Sequence, residues 1–181
     1  TKKNYDFFKK INNNYFFSDT NKENLSFIIE ISKKLRLKDN LILKTIQKFE
    51  GLKYRQQIVF QNNFLTIIND SKSTSFSSSR DILKSNPNIF WLLGGIPKKG
   101  DKLNLKRKDF KNVKGFIYGR NKNFFSKELN NKIEFKSFNK LDDALRNVFR
   151  LIKQEKLKKN IILFSPSAAS FDSFKNFEDR G

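Results

Sequence analysis

The sequence predicts an α/β protein built on a mostly parallel sheet with helices on both faces. Three observations carry this. After Arg55, short apolar runs of strand length alternate with stretches of helical periodicity. The runs 89–93 and 161–164 are apolar throughout, as strands buried on both faces are. Gly, Asn, Ser and Pro punctuate the carboxyl ends of these runs, which makes loops at the edge where open α/β sheets hold ligands.

Taken in order, residues 1 to about 17 are polar and Asn-rich, and Tyr15-Phe16-Phe17 reads as a strand. Residues 21–35 place Leu25, Ile28, Ile29, Ile31, Ser32 and Leu35 near helical spacing. Asp39 reads as the N-cap of a second helix carrying Leu41, Ile42, Leu43, Ile46 and Phe49, with Gly51 as its C-cap. Such a helical hairpin is thin for a free-standing domain and needs a further surface to pack against. Residues 57–60 and 64–68 read as a β-hairpin across Gln61-Asn62-Asn63, followed by a helix at 75–84 and a strand at 89–93 closed by Gly94-Gly95. A strand at 113–118 ends at Gly119, a helix at 124–129 leads to a strand at 133–135, and the final strand is 161–164. The strongest helical signal runs from Leu141 to about Lys156, with Leu141, Ala144, Leu145, Val148, Phe149 and Ile152 on one stripe. Asp142 and Asp143 in its first turn and Lys153 and Lys156 in its last match the helix dipole. No internal repeat of solenoid period is present.

Composition narrows the chemistry. With 37% hydrophobic residues and 21 Phe the chain has enough apolar material for a core, and no apolar run approaches the roughly 18–20 residues that span a bilayer. The start, Thr1-Lys-Lys-Asn-Tyr, has no signal-peptide pattern, so the expectation is a soluble cytoplasmic protein, monomeric and without a membrane partner. Zero Cys and zero His remove disulfides, thiolate metal sites, the commonest general base and any serine-hydrolase triad. The formal charge of +20 invites a nucleic-acid reading. Lys, Asn, Phe and Ile are inflated together, however, as A/T-rich codons dictate, and the basic residues are scattered without an aromatic stacking motif. The expectation is no nucleic-acid partner.

Three loops at strand carboxyl ends carry groups suited to anions. Asn69-Asp70-Ser71-Lys72-Ser73-Thr74 sets an acceptor, a cation and a hydroxyl ahead of a helix N-terminus, although an Asx-turn and N-cap explain Asn69, Asp70 and Thr74 equally well. In Gly94-Gly95-Ile96-Pro97-Lys98-Lys99-Gly100-Asp101, glycines let a backbone approach a ligand and Lys98 offers a point charge; Lys99 and Lys102 read as solvated. This is not a Walker A loop. After the last strand, Ser170 reads as a hydrogen-bond donor to an anion together with main-chain N–H groups near Phe177, and Glu178 and Asp179 read as a surface ion network. The three loops are expected to converge on one sheet edge as a pocket for a small dianion, with no catalytic side chain and no metal ligand of its own.

Phe49-Glu-Gly-Leu-Lys-Tyr-Arg55, Asn69-Asp-Ser-Lys-Ser-Thr74, Leu93-Gly-Gly-Ile-Pro-Lys98 and Ser165-Pro-Ser-Ala-Ala-Ser-Phe-Asp-Ser-Phe-Lys-Asn-Phe-Glu-Asp-Arg-Gly181 occur in an order and at gaps that resemble the D-glutamate-adding branch of the Mur ligase family, over about residues 18–181. The resemblance implies a Rossmann-like glutamate-binding domain at 54–181, preceded at 1–53 by the helical tail of a central ATP-binding domain. It implies an ATP-dependent ligase of peptidoglycan synthesis. D-Glutamate is joined to UDP-N-acetylmuramoyl-L-alanine through an acyl phosphate, with Mg²⁺ screening the phosphates. Carried over by position, Thr74 and Lys98 hold one D-glutamate carboxylate, and Ser170 and the backbone of Phe177 hold the other. Asp70 lies at the ribose, Arg55 and Lys72 near the phosphates, and Asn21 and Asn24 at adenine. The sequence departs from the family pattern at Thr20, Tyr54, Ser75 and Ala168, where the family carries His, His, Asn and Cys. The P-loop, most Mg²⁺ ligands, the modified lysine and the UDP-sugar domain have no counterpart here, so the chain alone is expected to be an inactive fragment. The alternative is a stand-alone anion- or nucleotide-binding module of the same fold.

Overall fold

The computed structural model describes residues 7, 9–17, 19–154 and 159–181. The chain divides into two compact units, Thr1–Gly51 and Leu52–Gly181.

In the first unit, helix α1 (Asp19–Lys34) and helix α2 (Asp39–Lys48) contribute Leu25 and Ile29, and Ile42 and Ile46, to a small core with Phe7, Ile11 and Phe16. Each helical pair is spaced i, i+4, which puts both members on one face. Other apolar side chains of α1 stay in solvent: Phe27 is 64% exposed and Ile31 57%. The strand expected at Tyr15-Phe16-Phe17 is instead a 3-10 turn, Asn14–Phe17. Asn13 decides this locally. Its side-chain oxygen accepts from the Tyr15 N–H (3.0 Å) and its carbonyl from the Phe16 N–H (3.1 Å), closing an Asx-type turn. Asp39 is the first helical residue of α2 and not its cap; the extended Lys38 precedes the helix, and Phe49 ends it two residues before Gly51.

The second unit holds one six-stranded sheet among the described residues, ordered β1 (Gln57–Gln61), β2 (Leu65–Asn69), β6 (Asn160–Phe164), β3 (Ile89–Gly94), β4 (Val113–Tyr118), β5 (Glu134–Phe138). Only β1 runs antiparallel, paired to β2 through a hairpin in which Asn62 Oδ1 accepts from the Phe64 and Leu65 N–H groups. The α/β class with a mostly parallel sheet is therefore what the chain adopts. Strand β3 is buried along its whole length, and alternate side chains serve two cores. Ile89, Trp91 and Leu93 face helices α3 (Phe76–Ser85) and α4 (Lys122–Leu129). Phe90 and Leu92 face helix α5 (Leu141–Gln154) through Ala144 and Val148. The chain steps outward from β3 to β5 with α4 on one face and returns to β6 with α5 on the other. A right-handed crossover in each direction requires this placement. Lys156, expected near the end of α5, lies outside the described residues.

Strand β5 begins at Glu134, later than expected, because the Lys132 and Ile133 N–H groups still donate to Leu129 O at the end of α4. A last turn of helix, α6 (Phe177–Arg180), is capped by Asn176, whose Oδ1 accepts from the Asp179 N–H at 2.7 Å. None of the helices is long and apolar enough to cross a membrane, among the described residues.

Candidate functional site

Strands β2, β6 and β3 are parallel neighbours, so the loops after them, 69–74, 165–176 and 94–101, leave the same edge side by side. Hydrogen bonds lace them together. Asp70 N–H donates to Phe164 O (2.7 Å), Ala168 N–H to Ser73 O (3.3 Å) and Gly94 N–H to Pro166 O (3.1 Å). Ile96 and Ala169 exchange two bonds of 2.9 Å as an isolated antiparallel bridge. From the final turn, Phe177 O accepts from Ser71 Oγ (2.7 Å) and Gly181 O from the Asn69 amide (2.8 Å).

The two glycines after β3 serve this lacing. Gly94 and Gly95 have φ of 156° and 125°, and a Cβ on them would run into the carbonyl oxygens of Tyr118 and Ala169 respectively. What approaches Gly95 is the protein's own last loop, where the sequence had suggested a ligand.

Asp70 sits at the centre of a buried polar chain. It is 4% exposed; its Oδ1 accepts from the Gln56 N–H (3.1 Å) and its Oδ2 from Ser165 Oγ (2.8 Å). Ser165 Oγ shares a 2.6 Å hydrogen bond with Ser79 Oγ, which shares another of 2.9 Å with Ser167 Oγ. Burial pushes the Asp70 carboxyl up to about 6, partly offset by the Ser165 and Gln56 hydrogen bonds and by the charge of Arg55. In this geometry Asp70 faces the protein interior.

The remaining sequence-predicted residues fall into two groups. Thr74, Lys98, Lys72 and Arg55 are exposed on the loops at this edge. Lys72 Nζ lies 4.9 Å from the centre of the Phe177 ring, and that ring meets Tyr54 edge-on at 6.1 Å. The structure thus brings Lys72 and Phe177 together, although the resemblance assigns them to different ligands. Ser170 is 3% exposed, under a loop whose tip, Phe171, is 71% exposed. Asn21 and Asn24 belong to the first unit; the Asn21 amide donates to Tyr15 O at 2.7 Å and Asn24 is exposed. Among the described residues no ion pair of Glu178 or Asp179 stands out; Asp179 Oδ2 accepts from the Lys175 N–H at 3.1 Å, a main-chain contact.

Several residues escaped sequence reasoning. Ser71, Ser73, Ser79, Ser165 and Ser167 are all buried and hydrogen-bonded. Serine is common on surfaces, so composition carries no sign of this. Arg180, at 5% exposed, is the least expected of them. A cavity of about 210 Å³ opens on the α5 side of the sheet, lined by Val59, Ile67, Leu145, Ile162 and Phe164 with Arg180 and Gly181. Thr74, Lys98 and Ser170 do not line it. Among the described residues, no three metal-ligating side chains stand together.

No family model matches the chain. It is similar to UDP-N-acetylmuramoylalanine–D-glutamate ligases: 33% identical over 162 residues to that of Wolbachia sp. subsp. Brugia malayi, covering 90% of this chain and 32% of the relative. Identity to the Rickettsia prowazekii enzyme is 34% over 161 residues, covering 89% and 36%, and to the Francisella tularensis enzyme 36% over 170 residues, covering 91% and 40%. Among solved structures, MurF from Acinetobacter baumannii superposes with a TM-score of 0.61 at 17% identity, over 83% of this chain and 35% of that one. MurC from Thermotoga maritima gives 0.56, also at 17% identity over 83% and 35%. The chain spans roughly a third to two fifths of the length of the ligases it matches. The fold and the 30–36% identity across about nine tenths of its residues place the chain in the Mur ligase family, where it fits a C-terminal portion of the D-glutamate-adding member.

Proposed function

We propose that residues 54–181 supply the D-glutamate pocket, and part of the nucleotide site, of an ATP-dependent amide-forming ligase of peptidoglycan synthesis that acts on UDP-N-acetylmuramoyl-L-alanine. The observation that supports this most is the convergence of the loops after β2, β3 and β6 at one sheet edge, on the same three segments that resemble the ligase motifs. In this reading Thr74 Oγ1 and Lys98 Nζ bind one carboxylate of D-glutamate. Ser170 Oγ and the Phe177 N–H bind the other and aim the amine. For Ser170 to reach a ligand, the loop carrying Phe171 must lift, because the hydroxyl is covered.

Arg55 and Lys72, both exposed cations on this edge, suit nucleotide phosphates. Asp70 keeps the loop between them in place from inside. When bound, ATP supplies the activation of the substrate carboxylate. The residues of this chain position the amino acid for attack, and most ligands of Mg²⁺ would come from the part of the ligase that has no counterpart here. Residues 1–53 act as the tail of the ATP-binding domain, with Asn21 and Asn24 toward adenine. The exposed apolar face of α1 supports this reading, since it suits a helix that packs against more protein. The chain alone then binds without ligating, as a cytoplasmic protein.

An NMR titration of the chain with D-glutamate tests the pocket. Saturable shifts at Thr74, Lys98 and Ser170, weaker with L-glutamate, are expected. Shifts absent at all three up to tens of millimolar would remove the D-glutamate assignment. A Gly-Thr-x-Gly-Lys-Ser/Thr segment in the coding DNA upstream of Thr1 would decide between a ligase and a stand-alone binding module.

A further inference from the structure

Arg180 reaches the loops after β2 and β3, and its charge interacts with Asp172 of the loop after β6. Its Nε donates to Ser71 Oγ (3.2 Å) and its Nη2 to Ser71 O (2.6 Å), which fastens the final turn to the loop after β2. Its Nη1 points at the loop after β3, so that a Cβ on Gly95 would stand 3.1 Å from it. The same glycine packs on Ala169 of the loop after β6. Nη1, the Tyr118 hydroxyl and Asp172 Oδ2 are all buried without a well-aligned hydrogen bond, although Tyr118 lies close enough to Arg180 to interact with it. The hydrogen bonds Arg180 does make are to neutral atoms, and the opposite charge that faces it is that of the nearby Asp172 carboxylate. Burial lowers the affinity of the guanidinium for its proton, and the neighbouring Tyr118 and Asp172 raise it; arginine remains charged in any case.

We propose that Arg180 is the positioning residue of the anion pocket: without touching the ligand, it pins the loops after β2, β3 and β6 in one arrangement and sets a positive charge under them. The planar fork explains why arginine is required. Two nitrogens engage both oxygens of one serine while the third is left to face Gly95, a division that a lysine ammonium on its flexible stem cannot reproduce. The charge favours a doubly anionic guest over a neutral one to the extent that Asp172 leaves it unanswered, since a cation shielded from water acts more strongly than an exposed one. The ligand half of this proposal rests on the D-glutamate reading above; the loop-pinning half does not.

Amide hydrogen exchange on the chain separates the two. In Arg180→Lys, the amides of Ser73, Ile96 and Ala169 should lose protection together by about tenfold or more, while those of Trp91 and Leu92 in β3 hold theirs. In Arg180→Ala, added ethylguanidinium should restore all three, a rescue that a general loss of stability would not show. If Arg180→Ala does not fold, Ser71→Ala, which removes only the hydroxyl that Nε reaches, should give the same pattern at smaller amplitude. Unchanged protection in Arg180→Lys, or loss confined to Ser73, overturns the proposal. In parallel, D-glutamate affinity measured by NMR should fall about tenfold or more in Arg180→Lys, and equal affinity overturns the positioning role. If the wild-type chain binds no D-glutamate, the pocket reading fails by itself, and exchange still decides whether Arg180 pins the loops.

Discussion

Asp70 shows how burial changes what a residue is for. Its carboxyl titrates near 6 in the fold, against about 4 in an unfolded chain, so between those values the native state holds more protons than the unfolded one. The sign follows: this group favours folding fully below about pH 4, and the advantage is lost as pH rises through 6. Its size is on the order of 3 kcal/mol. Asp70→Asn should therefore flatten the stability difference between pH 5 and pH 7, measured by urea unfolding at each pH with Trp91 fluorescence as the probe. An unchanged difference would mean that the carboxyl is not desolvated. Lys98 makes the opposite case, because an exposed ammonium contributes little to stability. Lys98→Ala should leave the urea midpoint unaltered and weaken D-glutamate binding about tenfold or more, read by the same NMR titration. Both residues could be picked out in the sequence from their place after an apolar run. That Asp70 would turn inward to Ser165, 95 positions away, could not, since only the pairing of β2 with β6 brings them together.

Among the elements, helix α3 depends on a residue from a different loop. Its own N-cap, Ser75, makes no capping bond; the Phe76 N–H instead donates to Asp101 Oδ2 at 2.8 Å. A carboxylate also suits the positive end of the helix dipole. Asp101→Ala should cost about 1–2 kcal/mol in urea unfolding, and Asp101→Asn less because it keeps an acceptor. A full loss in the Asn variant would point to charge over hydrogen bonding. Gly95→Ala should be worse, because it combines a positive φ with a collision against Ala169. A loss of about 2 kcal/mol or more, with earlier proteolytic cleavage in 165–176, is the expected result. The strands and the long helices were legible because burial on one or two faces writes period 2 or period 3.6 into the chain. Tyr15-Phe16-Phe17 misled because aromatic residues signal burial without saying in which conformation. The turn α6 was invisible, since four residues carry no period.

The molecule as a whole separates into a unit with extensive packing on both sides of a sheet and a small one with a core of a few side chains. A chain beginning at Leu52 should unfold cooperatively with a midpoint close to that of the parent, followed by Trp91 fluorescence; residues 1–51 alone should show no cooperative transition, because so short a segment buries too little apolar surface. A stable 1–51 fragment would argue against the first unit needing a partner surface.

By itself, the sequence determined the α/β class, the order of nearly all the elements and the three loops at strand carboxyl ends. These are local matters of period, turn residues and position after a strand. Only the tertiary structure decided that β6 inserts between β2 and β3, that a chain of buried serines joins Asp70 to the last loop, and that Arg180 is buried against the loops after β2 and β3. Such contacts join residues about a hundred positions apart. Their energy comes from burial and hydrogen bonding that exist only after the strands have paired, so no stretch of the chain encodes them alone.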